Sequence, residues 1–225
     1  MAKTKPARET RALYRARAKP AAQKSIEPRA TAVQTLPVAS ALPEQGKWTY
    51  ADWARLPDDG TRYEVIDGAL FMAPPPGTGH QSASMYLSRA MSFYAEAQQL
   101  GYVYFAPVGV LLPTQTVPVQ PDIVFVAAAQ RTIIGPEYIA GAPALIVEIL
   151  SPSNWIFDRR EKFTLYQAAG VSEYWIVDYR AKTVEVFVLE NGLYTLIAKW
   201  GAGETATARA LAGFQIAVND IFRDV

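Results

Sequence analysis

Residues 143–153 read Pro-Ala-Leu-Ile-Val-Glu-Ile-Leu-Ser-Pro-Ser, an apolar run with a single carboxylate, Glu148, at its centre. A run of this length between prolines reads as a strand, and side chains along a strand alternate between faces. Ile146, Glu148 and Leu150 therefore share one face, while Val147, Ile149 and Ser151 share the other. An ionised carboxylate in apolar surroundings costs many kcal/mol unless it is compensated. Glu148 must have a partner, a shifted pKa or a bound cation. Any fold for this chain has to bury the strand and still satisfy that acid.

The rest of the chain supplies the elements for such a fold. Thr49 is placed to cap a short helix in Trp48–Pro57. Asp67-Gly68, between two apolar stretches, predicts a hairpin. Residues 79–101 hold Met85, Leu87, Met91, Phe93, Tyr94 and Leu100 at an approximate helical period, and Gly101 reads as the stop. Strands are expected in 102–113 and 118–127, a third at 144–151, a helix over 158–169 ended by Gly170, a strand in 172–179, and a hairpin turned at Asn191-Gly192. Between the outer hairpins the order is α-β-β-β-α-β, which predicts an α/β fold with a central mixed sheet flanked by helices and extra β-hairpins at both ends.

Charge is unevenly distributed. Residues 1–30 carry nine Lys or Arg against Glu9 and Glu27, a balance of +7, whereas the remaining residues hold 13 basic and 19 acidic side chains, a balance of −6. Residues 1–45, rich in Ala, Pro, Lys and Arg, read as a basic, disordered arm with a frayed helix near Glu9–Ala18, and residues 46–225 as a single domain. The arm is open to three readings: a solvated tail, a non-specific contact to nucleic-acid phosphates, or a targeting peptide. The chain has no cysteine, which excludes disulfides, thiol nucleophiles and cysteine zinc sites. No apolar run reaches the roughly 18 residues needed to span a bilayer, and the N-terminus lacks an apolar secretory segment.

Several acids and one lysine stand out. Asp122 opens an apolar strand 26 residues before Glu148. If the two strands pair, at about 4.8 Å spacing, both carboxylates come within reach of one hard divalent cation such as magnesium. Asp158, Lys162 and Tyr166 fall at i, i+4 and i+8 on one helical stripe. Lys162 on that stripe can hold an attacking water or neutralise charge on a phosphate; alternatively it forms a helix-surface pair with Asp158, its stem carrying the ammonium out to water. Glu64, alternating with Tyr63 and Val65, is either an exposed edge residue or part of the site. His80, the single histidine, stands near a helix start, where it either meets an anion or acts as a cap or surface group.

The ordered set "YEVIDGALFM", His80, "PDIVFV", "LIVEILSPSN", the Asp158, Lys162, Tyr166 series and "GVSEYWIVD" resembles the Uma-type family of predicted restriction endonucleases, within the PD-(D/E)xK nuclease superfamily. The resemblance covers roughly residues 48–200. It implies a restriction-endonuclease-like core and a metal-dependent phosphodiesterase site, with Asp122, Glu148 and the Ile149 carbonyl as metal ligands and Glu64 as an accessory carboxylate. In the wider superfamily the lysine stands two residues after the glutamate, where this chain has Leu150; the Uma-type pattern places it on the following helix, and Lys162 fits. The expectation is an endonuclease that cleaves DNA with magnesium, or manganese in its place. Asp122, Glu148, Lys162 and Glu64 would be catalytic, and His80, Asp158 and Tyr166 would face the substrate. A cytoplasmic protein, free of the membrane and able to pair as a homodimer, is the expected setting. Two alternatives accompany it: a non-catalytic module that binds nucleic acid or protein on the same fold, and a purely structural set of buried ion pairs.

Overall fold

The structure is a computed structural model that describes residues 42–57, 59, 61–151 and 155–225. The basic segment and the helix expected near Glu9–Ala18 lie outside the described residues.

In chain order the elements are α1 (Tyr50–Trp53), β1 (Arg62–Ile66), β2 (Ala69–Ala73), α2 (Thr78–Ala97), β3 (Gly101–Phe105), β4 (Val110–Leu111), β5 (Ile123–Ala127), a 3-10 helix (Ala128–Ile133), β6 (Ile139–Ala140) and β7 (Leu145–Ile149). Then come α3 (Trp155–Phe157), a π-helical turn (Asp158–Lys162), α4 (Phe163–Ala169), β8 (Glu173–Asp178), β9 (Thr183–Glu190), β10 (Leu193–Trp200), β11 (Thr205–Thr207), β12 (Gln215–Ala217) and α5 (Val218–Ile221). Six strands form the central sheet in the order β10-β9-β8-β7-β5-β3. Only β7 and β8 pair in parallel within it, joined by the helical segment that such a crossover requires.

Both faces of this sheet are covered. On one, Ala83, Leu87, Met91 and Ala95 of α2 pack with Ile123, Phe125, Val147 and Trp175, together with Leu211, Phe214 and Ile221 from the C-terminal segment. On the other, Leu165, Tyr166 and Ala169 of α4 pack with Val124, Ile146, Tyr174 and Ile176. The predominantly apolar runs in β5, β7 and β8, interrupted within β7 only by Glu148, follow from this, since a strand covered on both faces has no solvent-facing positions to make polar.

The expected mixed α/β sheet is therefore present, with refinements. Asn191 and Gly192 turn the C-terminal hairpin with positive φ, as expected, but that hairpin continues the central sheet, whereas the N-terminal one forms a separate sheet. Thr49 caps α1 as its sequence suggests. In α2 the buried stripe runs through His80, Ala83, Leu87, Ser88, Met91 and Ala95, and Met85 and Phe93 stay exposed. Small residues let the helix approach the sheet, and a scan for large apolar side chains overlooks them. The helix ends at Ala97 with Gln99 in the left-handed region, so Gly101 belongs to β3 rather than to the helix stop. The helix expected over 158–169 is broken into the π-helical turn and α4. The strand pair β11–β12 and helix α5, which carry weak periodicity, have no counterpart in the sequence reading.

The N-terminal hairpin carries two charged residues toward the sheet, and its turn is pinned from outside. Gly68, at φ +74, accepts hydrogen bonds on its carbonyl from the N–H groups of Gly46 and Trp48 at 2.8 and 2.9 Å. Gln45 also exchanges bonds with Leu70, so the fold already includes the last residue expected in the arm. A Cβ on Gly68 would fall 2.4 Å from the Gly46 carbonyl oxygen, in a left-handed conformation that itself costs about 1–2 kcal/mol. Gly68→Ala should therefore lower unfolding free energy by at least about 2 kcal/mol in urea titration.

Candidate active site

The sheet register answers the question posed by Glu148. Ile123 pairs with Val147 and Val124 with Ile146, so the antiparallel ladder sets Asp122 opposite Glu148. Residues opposite each other share a face, with Cβ atoms about 4.5–5.5 Å apart. That face also receives Ile146, Leu165 and Tyr166. Both acids line one cavity of about 470 Å³, together with Arg62, Glu64, His80, Asp158 and Lys162.

Lys162 is the hub. Only 2 % exposed, it sets Nζ 2.9 Å from Glu148 Oε1, 3.2 Å from Glu64 Oε2 and 3.8 Å from Asp158 Oδ1. The alternative in which its stem carries the charge to water does not hold. The Asp158 pairing, expected from the i, i+4 spacing, is the longest of the three. The π-helical turn supplies both residues; such turns recur at functional sites because they re-aim side chains within a helix.

The other groups hold the carboxylates in place. Tyr166 donates its hydroxyl to Glu148 Oε1 at 2.6 Å. Asp122 Oδ2 accepts the Ile149 N–H at 2.8 Å and the His80 Nε2–H at 3.2 Å, while Oδ1 accepts from Arg62 Nη1 at 3.2 Å. Glu64 Oε1 accepts the Gln120 N–H at 2.8 Å. Among the described residues, both hydrogen bonds to Glu148 fall on Oε1. Among the described residues, Arg62 Nε and Nη2 and His80 Nδ1 are buried without a hydrogen-bond partner; the 3.7 Å separation of Arg62 Nε from Glu64 is too long for one.

Seven of the eight residues singled out from sequence thus line one cavity, and the eighth, Tyr166, contacts it through Glu148. Glu64 is buried rather than exposed on its edge strand, because β1 turns Arg62, Glu64 and Ile66 inward. His80 is buried against a carboxylate of the protein rather than at the surface. Tyr166, expected to face the substrate, is fully buried, is not among the described residues lining the cavity, and instead holds Glu148 from behind. Arg62 was missed. Its signal is the two-residue spacing from Glu64 on one strand, which puts both on the same face. Phe157, whose ring centroid lies 5.5 Å from Lys162 Nζ, carried no signal at all.

Electrostatics follow from burial. Four carboxylates (Glu64, Asp122, Glu148, Asp158) face two permanent cations, Arg62 and Lys162. Burial pushes Glu148 up to about 8 although Lys162 opposes it, with Asp122 and Asp158 adding to the rise. Burial likewise lifts Asp158 to about 6, again against Lys162. Asp122 goes the other way: its own burial is outweighed by His80 and Arg62, which hold it well below the usual carboxylate range. Glu64 is also held low, Lys162 and Arg62 overcoming its desolvation. Lys162 is held above its ordinary value, since Glu148 and Glu64 outweigh burial.

The fold and this cluster define a mixed α/β protein with a carboxylate-rich cavity built around one buried lysine. The family described as "Uma2: Putative restriction endonuclease" matches residues 50–219, and the chain belongs to that family. Among solved structures it is similar to "a putative nuclease belonging to DUF820 from Anabaena variabilis ATCC 29413", with a TM-score of 0.64 and 17% identity, covering 80% of this chain and 98% of that one. At this identity the likeness is one of fold. No curated protein matches the chain. Family and fold together support a nuclease. Among the described residues, no helix is long and apolar enough to cross a membrane.

Two outcomes are expected. Lys162→Met leaves three buried carboxylates without their shared cation and should destabilise the metal-free protein by about 3–5 kcal/mol in denaturant titration. Glu148 and Asp158 keep protons in the folded state that the unfolded chain has released, so their contribution is complete below about pH 4 and is lost as pH rises toward 8. The melting temperature of chelator-treated protein should therefore fall between pH 5 and 8, and Glu148→Gln should flatten that slope.

Proposed function

We propose that the protein is a divalent-metal-dependent endonuclease that hydrolyses DNA phosphodiester bonds, with magnesium as the natural ion and manganese able to replace it. The observation that carries this reading is the cavity itself. Asp122 and Glu148 lie opposite each other on one face, and the site has two more carboxylates than permanent cations. A divalent cation matches that excess in charge, and carboxylate oxygens are the donors such an ion prefers. Asp122, Glu148 and the carbonyl of Ile149 would hold it; the Glu148 Oε2 atom, free of the bonds from Lys162 and Tyr166, supports this.

When bound, such an ion supplies Lewis acidity at a phosphate oxygen and acidifies water. The protein's own groups do the rest. Lys162 lines the cavity and brings a fixed positive charge to where a phosphate gains negative charge in the transition state. Glu64 and Asp158 hold its ammonium in place, and Tyr166 fixes the Glu148 carboxylate. His80, Arg62 and the Ile149 N–H orient Asp122. The unpaired Arg62 donors are suited to a substrate phosphate oxygen.

One observation favours a second reading, a binding module that keeps the fold without catalysis. Both oxygens of Asp122 and the ammonium of Lys162 are already engaged within the protein. The two readings separate in one assay. Oligonucleotide DNA should be cut with magnesium or manganese and left intact with chelator. Asp122→Asn and Glu148→Gln should each reduce the rate by about 100-fold or more. Wild-type protein that binds no metal in calorimetry and cuts nothing would leave the binding module standing.

A further inference from the structure

Next to the carboxylate cavity is a second one, of about 290 Å³. Its lining differs in character. Phe71 and Phe157 pack their rings against each other, with centroids 4.2 Å apart. Met72 from β2 and Ile156 from α3 flank them and remain 64% and 50% exposed. Glu64 and Glu161 supply the charge. Met72, Ile156 and the two rings together make an apolar patch beside a charged site, and such a patch marks a binding surface.

The two cavities are contiguous: Glu64 and Ala73 line both. Phe157 ties them more closely, since the ring that packs on Phe71 also lies near Lys162 Nζ. A group seated against Phe157 is thus adjacent to a phosphate seated at Lys162. The pocket's carboxylates disfavour a second phosphate there. A flat, uncharged ring fits the aromatic and aliphatic walls, and exocyclic amino groups on that ring can donate to Glu161.

We propose that this pocket receives an unpaired nucleobase from the strand whose phosphodiester occupies the carboxylate cavity, so that the protein acts where bases are unstacked rather than within an intact duplex. The inference rests on the nuclease reading and narrows it. A paired base presents only its edges to the grooves, so it must leave the stack to meet Phe71 and Phe157.

The test uses the full chain and an oligonucleotide with one 2-aminopurine among thymines, either single-stranded or in a duplex, with calcium in place of magnesium. Fluorescence follows binding, and cleavage of the same oligonucleotides is measured separately with magnesium. The single strand should bind at least about tenfold more tightly than the duplex, with quenching on stacking. Met72→Ser and Ile156→Ser, being exposed, should leave the melting temperature unchanged and weaken single-strand binding by about tenfold. Equal affinity for both forms, or variants that bind like wild type, would overturn the pocket assignment. So would a smaller sedimenting species for Ile156→Ser, which would put a second copy on this surface. Variant-sensitive binding without any cleavage would defeat the nuclease reading and leave the pocket; cleavage of intact duplex by variants and wild type alike would do the reverse.

Discussion

Lys162 is surrounded by Glu148, Glu64 and Asp158, each within ion-pair distance and each buried along the wall of the cavity. These acids come from three separate regions: β7, the N-terminal hairpin and the π-helical turn. One ammonium thus links the central sheet, a detached two-stranded sheet and the crossover segment. None of the three acids would be tolerated in place without it, because an unpaired buried charge costs far more than packing returns. The arrangement is also incomplete as a neutral set, since Arg62 and Lys162 cannot balance four acids. Burial, with the neighbouring acids adding to it, raises Glu148 and Asp158 and leaves protons on them.

The geometry that brings these groups together is supplied by backbone pairing. Antiparallel register between β5 and β7 puts Asp122 and Glu148 on the same face, and a slip of one residue would send one of them into the opposite core against α2. The parallel step from β7 to β8 demands a crossover, and the residues that cross over are those that carry Asp158, Lys162 and Tyr166. The requirement of chain connectivity and the requirement of site assembly are thus met by the same segment. The hairpin β1–β2 closes the cavity from outside the sheet, held through Gly68 to the residues that precede α1.

Membership in the Uma2 family and the fold likeness to a nuclease agree with this architecture. Leu150, two residues after Glu148, is buried in the α4-side core. Carrying the ammonium on the crossover gives it contact with Glu148 while Leu150 packs. It also lets one lysine reach Glu64, which the hairpin delivers from the other side.

Much of the site was legible because its residues break a pattern. Asp122, Glu148 and Lys162 are charges where periodicity calls for apolar side chains, and Glu64 interrupts a strand in the same way. The two faces of β7, the Asp67-Gly68 turn and the Asn191-Gly192 turn are likewise local properties, fixed by alternation and by the few residues that accept positive φ. What the sequence could not express was which charge answers which. Arg62 beside Asp122, Tyr166 behind Glu148 rather than at the substrate, and Phe157 between two cavities all depend on contacts across 60, 18 and other large or irregular separations along the chain. The π-helical turn, the small-residue stripe of α2 and the inclusion of the last hairpin in the central sheet were also decided in three dimensions, because each is set by how closely one element can approach another and not by the preferences of the residues that form it.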